Sequence, residues 1–311
     1  MTKDLENLYK AISQSMGRSN PKNDEEAQKL IDEMIREYNS KLKTGRKSKK
    51  SREEESDDYL DMAQNATDID SANRYLDKAL ELNPDNFDAS IAKIGLRTDE
   101  FDKLKDLDIL LNKEEEKLRS EGFFQDTGYF WGMFETRPYM RGLALKCEIL
   151  ESLCRITEVI QVAETMIRLC KNDNLGVRYH LMSYYAIQEN LKKALQLHKK
   201  YKNEDSLGFF LPLAVCYFRL GMYDDCKATL QKAEKANKYF IRMLKMKNIL
   251  DTEPEDFYSP GKESEVLMAV AENRELLYST LPFLRFLRIC FPDTKSTTFD
   301  QNGSKNSVIT Y

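Results

Sequence analysis

The 311-residue chain carries 48 basic and 52 acidic side chains, and its net charge of −4 gives no general attraction to nucleic acid or anionic membranes. Only 12 glycines and 8 prolines, with 32% charged residues, favour long exposed helices over a turn-rich sheet protein. Its longest apolar runs are about half of the roughly 20 residues that a membrane-spanning helix needs. The first residues are too polar for a signal peptide, and the six cysteines form no CxxC pair. We therefore expect a cytoplasmic protein with reduced thiols and no membrane association.

The first two regions differ sharply in composition. Residues 1–43 have helical patterns and predict an N-terminal helical extension, with Asn23 as the cap of its second helix. The apolar stripe of that helix consists of Leu30, Ile31, Met34, Ile35 and Tyr38. Residues 44–56 (TGRKSKKSREEES) contain no apolar side chain and predict a mobile polar linker. Its cations are followed at once by carboxylates, which argues against a phosphate-binding role.

A faint repeat of about 34 residues organises residues 57–250. It is clearest at 210–233, where the first helix follows the W-x2-L-G-x2-Y spacing of a tetratricopeptide and Gly221 then breaks the helix. The small-x3-large face of a second helix starts again at Ala72, Val159, Ala194 and Cys226, and the last three positions are 35 and 32 residues apart. The pattern predicts an all-α solenoid, a right-handed superhelix of four or five tetratricopeptide-like helical hairpins.

Five predicted hairpins are separated by turns and by one aromatic-rich loop. The hairpins cover residues 59–82, 87–118, 139–170, 176–201 and 206–236. Residues 251–293 fit one or two capping helices broken at Pro282, and the polar residues 294–311 predict a disordered tail. The aromatic loop follows the second hairpin and should be anchored in the core, because its exposure would leave a large apolar patch. Its aromatic residues are Phe123, Phe124, Tyr129, Phe130, Trp131 and Phe134.

Three segments resemble a bacterial family of tetratricopeptide-repeat proteins. FFQDTGYFWGMFETRPYMRGLALKCEIL contains an FWG-ETRPYMR-like stretch, residues 172–179 (NDNLGVRY) fit an NDNxGxRY motif, and residues 258–261 (YSPG) resemble a later turn. The last part, SPGKESEVLMAVAENRELLYSTLPFLRFL, is more distantly similar to the suppression-of-tumorigenicity family of eukaryotes. The resemblance implies the repeat fold over about residues 59–288, without an assigned chemistry. The membrane association of the second family is not carried over, because this chain lacks the apolar spans.

A charged set in and after the aromatic loop is the first candidate site: Glu135, Arg137, Arg141 and Arg178. Arg178 stands where a first helix usually presents a large apolar residue, so its guanidinium must be paired or reach water. We favour structural ion pairs, with Arg178 as an interhelical brace to Glu135 or Glu148. The alternative is an arginine that binds a peptide carboxylate or a phosphate.

The second candidate site is the inner face of the superhelix. Tetratricopeptide hairpins bind partners mainly along the concave face that their first helices line. By pattern this face would present Arg141, Glu148, Tyr179, Ser183, Phe218 and Arg219. An ordinary solvated face could contain the same residue types, so the alternative stays open.

No catalytic constellation is present in the sequence, and the expected function is that of a noncatalytic adaptor or scaffold that binds a protein or peptide without a cofactor. One alternative is a regulatory subunit or sensor that binds a small ligand or nucleic acid in the superhelical groove. Another is an enzyme with carboxylates around the aromatic loop. His180 and His198 lack the neighbouring ligands of a metal site, so no metal is predicted.

Overall fold

The computed structural model describes residues 22–44, 50–202, 204–254 and 257–292, together with the single residues 8, 12, 15 and 19. All regular secondary structure in these residues is helical, which confirms the all-α class. Extended pairing there is limited to isolated bridges from Cys170 to Gly128 and Tyr129. The chain divides into two compact units, residues 1–172 (unit 1) and 173–311 (unit 2).

Unit 1 is built from helices that pack on their neighbours in the chain. They are α1 (Asp24–Thr44), α2 (Arg52–Gln64), α3 (Ile69–Leu82), α4 (Phe87–Gly95), α5 (Glu100–Ser120), α6 (Arg137–Ser152) and α7 (Ile156–Leu169). From α2 onward, α2 packs on α3, α3 on α4, α4 on α5, α5 on α6 and α6 on α7, and α4 also packs on α6. The fully buried side chains of Leu76, Ala79 and Leu107 lie between these helices. The predicted hairpins of unit 1 are therefore present as packed helix pairs.

The start of α2 lies within the segment that we predicted to be a mobile linker. Ser51 and Glu54 form a capping box: the Glu54 amide donates to the Ser51 hydroxyl (3.1 Å) and the Ser51 amide donates to the Glu54 carboxylate (2.8 Å). Ser56 is buried, and its hydroxyl donates to the Ala79 carbonyl of α3 (2.7 Å). The linker prediction is wrong for residues 52–56, because a capping box and a buried hydroxyl stabilise a helical turn that has no apolar side chain.

Other predictions at the ends of the chain are only partly covered. The predicted cap at Asn23 is confirmed, since its side chain accepts a hydrogen bond from the Glu26 amide (2.9 Å). Of the predicted linker, Thr44 ends α1 and residues 45–49 lie outside the described residues. Most of the predicted helical stretch before residue 22 and the predicted tail 294–311 lie outside them as well.

The aromatic loop of unit 1 is anchored by its backbone as well as by its rings. The amides of Gly128 and Phe130 both donate to the Leu169 carbonyl (2.9 and 3.1 Å), which ties the loop to the end of α7. Phe130 is fully buried, as predicted, and its carbonyl accepts from the Thr136 hydroxyl. Tyr129, however, is 64% exposed. Its neighbours Gly128 and Phe130 both bind the Leu169 carbonyl, so the residue between them faces away from α7. Anchoring in the core is therefore correct for Phe130 and wrong for Tyr129.

Unit 2 contains two further helical hairpins and a set of shorter helices. They are α8 (Val177–Ile187), α9 (Leu191–Lys200), α10 (Leu207–Arg219), α11 (Tyr223–Ala236), α12 (Phe240–Leu244), α13 (Glu263–Glu272), α14 (Arg274–Tyr278) and α15 (Leu281–Cys290). α8 packs on α9 and α10, and α10 on α11, as the predicted hairpins require. The closing segment forms three helices rather than one or two. Pro282 lies in the first turn of α15, where the missing amide hydrogen costs nothing.

Candidate functional site

Ser183 of α8 does not line an open inner face. Its side chain is 5% exposed, and its hydroxyl donates to the Asn273 carboxamide oxygen at the junction of α13 and α14. Asn273 is itself buried, and its amide group donates to the Ala269 carbonyl (2.8 Å). The junction of α13 and α14 therefore covers the face of α8 that we expected to meet a partner.

Phe218 of α10 is also packed within unit 2. Its ring lies 5.7 Å from that of Phe283 and 5.3 Å from that of Phe286, both on α15. Tyr223 completes this aromatic cluster, with ring centroids 5.7 Å from Phe218 and 5.3 Å from Phe286. Helix α15 therefore lies against the second expected inner-face position.

Arg219 at the end of α10 is held by several acceptors of unit 2. Its guanidinium donates to the Glu189 carboxylate (3.2 Å), the Ile187 carbonyl (3.2 Å) and the Thr280 hydroxyl (3.2 Å). The expectation that Ser183, Phe218 and Arg219 project into an open groove is wrong. Helices α13–α15 occupy that face. Each of these three helices carries buried residues that pack within unit 2.

Arg178 lies in a closed cluster of ion pairs and hydrogen bonds. Its guanidinium contacts the carboxylates of Asp173 (3.0 Å) and Glu204 (3.1 Å). Although burial opposes its charge, the hydrogen bond to Asp173 and the nearby carboxylates raise the pKa of Arg178 above its ordinary value. The partner carboxylates are therefore those of Asp173 and Glu204, instead of the expected Glu135 or Glu148.

The same cluster fixes Tyr179 and the start of α8. The Asp173 carboxylate, almost fully buried, also accepts from the backbone amides of Val177 (2.8 Å) and Arg178 (2.9 Å), so it caps the helix. The Tyr179 hydroxyl donates to Glu204 (2.9 Å) and accepts from Arg178 (2.7 Å). Burial, with this bond to Glu204, raises the pKa of Tyr179 to about 12. With its one guanidinium held between two carboxylates, the cluster acts as a structural clamp.

A small cavity of about 30 Å³ lies beside Tyr179. It brings residues of the NDNLGVRY and YSPG segments together, and its lining comprises Tyr179, Ser206, Gly208, Tyr258, Glu265, Met268, Ala269 and Glu272. Burial raises the pKa of Glu272, and the nearby His180 opposes the shift. A volume of this size has room for about one water molecule, which is too small for an organic ligand.

The expected site residues of unit 1 are spread over different contacts. Arg141 of α6 makes a two-point ion pair with Asp88 of α4 (2.8 and 2.5 Å), which joins two first helices. Arg137 donates to the Trp131 carbonyl (2.8 Å), and its guanidinium lies 4.2 Å from the centre of the Phe134 ring. Glu135, two residues before Arg137, is half-buried, and Glu148 is exposed on α6. These residues form no single pocket.

Unit 1 contains a larger open cavity between α3, α4 and α5, which we call the α3–α5 groove. Its volume is about 330 Å³, and its lining residues are Leu80, Ser90, Lys93, Ile94, Arg97, Asp106, Ile109, Leu110 and Lys113. Ile94 is buried at the base, whereas the Ile109 side chain is 63% exposed. The groove therefore offers an accessible apolar floor in a size range typical of binding pockets.

Three cations lie at the rim of the groove, each paired with an aspartate. Lys93, Arg97 and Lys113 line it, with Asp106 as the single lining carboxylate. Lys93 forms an ion pair with Asp77, Arg97 with Asp106, and Lys113 with Asp85 (3.2 Å). These pairs are well exposed to solvent, and such pairs stabilise a protein by only about 0 to 1 kcal/mol. These pairs therefore hold the cations only weakly, which leaves them accessible to the carboxylates of a ligand, while the three aspartates remain beside them.

Sequence reasoning missed the groove because it looked for a binding face on the first helices. One signal was available on α5, whose buried stripe is Leu104, Leu107, Leu111, Glu114 and Leu118. Phe101 and Ile109 lie off this stripe and are 69% and 63% exposed. Large apolar residues outside the buried stripe of an amphipathic helix mark a second apolar surface.

Comparison with known proteins gives no assignment: the chain matches no protein-family model, and no curated protein matches it significantly. The family resemblance of the motif segments therefore stays a prediction. Within the described ranges, no helix has the length and apolar content needed to cross a lipid bilayer. The same residues contain no group of three or more His, Cys, Asp or Glu side chains placed to hold a metal ion.

Proposed function

We propose that this protein is a noncatalytic scaffold of tetratricopeptide-like hairpins, arranged as a right-handed solenoid, that binds a protein or peptide. Its hairpin spacing supports the repeat: the second helices α7, α9 and α11 begin at Ile156, Leu191 and Tyr223, which are 35 and 32 residues apart. These intervals bracket the tetratricopeptide period of about 34 residues. The longer interval before α7 contains the 21-residue helix α5 and the aromatic loop.

The α3–α5 groove is the single observation that carries this function. Its apolar floor and cationic rim suit an amphipathic helix whose apolar side enters the groove and whose flanking carboxylates meet Lys93, Arg97 and Lys113. The inner face of α8 and α10 is a weaker candidate, since α13–α15 already cover it. The ligand class is therefore an acidic amphipathic helix of a protein partner.

A display library of acidic amphipathic helices tests this function with the full chain as bait. Peptides selected on the wild-type protein should bind at least about tenfold more weakly to Arg97→Glu/Lys113→Glu, because two attractive rim charges become repulsive. Lys105→Glu is the matched control, since Lys105 is an exposed cation on the same helix outside the groove lining. Equal binding to the wild type and the double variant would rule out the groove as the site.

A further inference from the structure

Helix α9 of unit 2 presents a lysine-rich face to solvent. Residues 191–202 (LKKALQLHKKYK) contain five lysines and no carboxylate, although the whole chain has a net charge of −4. Lys192 and Lys199 are seven residues apart, which places them on one side of the helix and about 10 Å apart along its axis. Both side chains are exposed, whereas Ala194 and Leu197 are buried on the opposite side. The exposed side of α9 is therefore a local cationic surface on an acidic protein.

The cations of α9 differ from those of the groove in having no aspartate or glutamate beside them. Within the described residues, neither Lys192 nor Lys199 forms an ion pair. The nearest carboxylates in the chain, Glu189 and Glu204, pair instead with arginines of unit 2. Asn203, the one residue between α8 and α11 that lies outside the described ranges, carries no charge. A ligand anion could therefore meet these two lysines without displacing a partner.

The composition of this face distinguishes between classes of anionic partner. Protein interfaces are depleted in lysine and depend on aromatic or arginine anchors, but only Leu195 among the ten residues of α9, all of them described, is an exposed apolar side chain. A helix on a membrane surface turns its apolar side to the lipid, whereas the apolar side of α9 is buried in its hairpin. Lysines spaced along one face are typical of contacts with nucleic-acid phosphates.

We propose that the exposed face of α9 binds the phosphate backbone of a nucleic-acid duplex. A duplex carries one negative charge per about 1.7 Å of its axis, so the span from Lys192 to Lys199 faces several phosphates. A duplex fits better than a single strand, because α9 has no Phe, Tyr or Trp on which unpaired bases could stack. The contact reads no bases, since phosphates carry no sequence information. This site goes beyond the proposed function, because α9 lies in unit 2 and the groove in unit 1.

The salt dependence of DNA binding by the full chain tests the proposal. A fluorescent DNA duplex of about 20 base pairs is titrated by anisotropy between about 25 and 200 mM NaCl, and its Kd should lie below about 100 μM at the lowest salt. Lys192→Ala/Lys199→Ala should weaken binding at least about fivefold. It should also reduce the slope of log K against log salt by about 1.8, which is about 0.9 for each lost phosphate contact. Binding with an unchanged slope would overturn the proposal.

A matched variant separates α9 from the groove. Lys105→Ala/Lys113→Ala removes the same charge from α5, a helix with seven carboxylates, and should leave the slope nearly unchanged. A loss in this variant, with none in the α9 variant, would place the duplex at the groove and overturn the proposal. Alanine favours helices, so both variants should keep the wild-type circular dichroism signal.

Other anions test the class of partner. Two duplexes of unrelated sequence should bind within about twofold of each other, because the contact involves phosphates alone. Polyglutamate or anionic lipid vesicles that bind as tightly as the duplex, and lose affinity in the same α9 variant, would make the partner an acidic protein or a membrane and overturn the proposal. If no duplex binds while library-selected helices still bind the groove, this proposal is wrong and the proposed function stands. If neither binds, both are wrong.

Discussion

Unit 1 and unit 2 are built from the same kind of packed helix pairs but leave different surfaces accessible. In unit 2, α13–α15 supply Asn273, Thr280 and Phe283 to the first-helix residues that could otherwise meet a partner. In unit 1, the groove between α3 and α5 keeps an apolar floor and an exposed Ile109. The comparison teaches that a binding surface in a helical repeat depends on which faces the chain covers itself. Mutations at the covered face should therefore change stability, and those at the groove should change binding.

The largest effect is expected at the core of the covered face. Phe283 is fully buried against Phe218, so Phe283→Ala should lower the free energy of unfolding by about 3 to 5 kcal/mol through the lost burial and the cavity left behind. Urea titration measures the change. Ile109→Ala in the groove is the matched truncation and should cost less than about 0.5 kcal/mol, because its side chain is already exposed. Similar losses for both variants would remove the distinction between the two surfaces.

The charged clamp of unit 2 should give the next largest effect. Arg178→Met leaves Glu204 without its cation and weakens the Asp173 cap, which should cost about 2 to 3 kcal/mol in the free energy of unfolding. Glu204→Gln should recover part of this loss in a double-mutant cycle. Glu148→Gln serves as the control and should be additive with Arg178→Met, since Glu148 is exposed on α6. Strong coupling to Glu148, and none to Glu204, would contradict the observed pairing.

A smaller, pH-dependent effect is expected at the cavity beside Tyr179. Burial raises the pKa of Glu272 in the folded protein above the ordinary value of 4.5. The protonated Glu272 therefore contributes fully to the free energy of unfolding below pH 4.5, and this contribution is lost as pH rises through the folded-state pKa. Glu272→Gln cannot ionise and should gain stability relative to wild type between pH 5 and about 8. Urea midpoints across this range measure the difference. An advantage that is largest near pH 4 would show that the sign is wrong.

The smallest stability effect is expected at the rim of the groove. Lys113→Glu breaks one exposed pair with Asp85 and should change the free energy of unfolding by less than about 0.5 kcal/mol. Its effect should appear in the affinity for an acidic helix, measured by fluorescence anisotropy. A drop in stability as large as that of Phe283→Ala would mean that the rim is part of the packed core.

The residue patterns predicted the helical hairpins because those patterns depend on neighbours within one helix. The faces at Ala79, Ala194 and Cys226 are buried as predicted, and the cap at Asn23 is where its sequence placed it. The contacts of Ser183 and Arg219 could not be read in this way. Ser183 bonds to Asn273 and Arg219 to Thr280, which lie 90 and 61 residues further along the chain, and only the folded structure decides which face α13–α15 cover.

Two further differences between prediction and structure concern the start of α2 and the groove. The Ser51 and Glu54 capping box is visible in the sequence, but residues 44–56 have no apolar side chain, which favours a linker over a helix. The groove depends on how α5 sits beside α3 and α4, and Ile109 off the buried stripe was its one sequence trace. Pairing of Arg178 with Glu204 across the α8–α9 hairpin is a tertiary contact that no spacing rule specifies.

Hydrogen exchange of the full chain, with and without a saturating library-selected acidic helix, tests the central claim most directly. Because the helix should lie in the groove, added protection of backbone amides is expected in α3, α4 and α5, with α8 and α10 unchanged. Protection confined to α8 and α10, with none in α3–α5, would contradict the account, since it would place the binding surface on the face that α13–α15 cover.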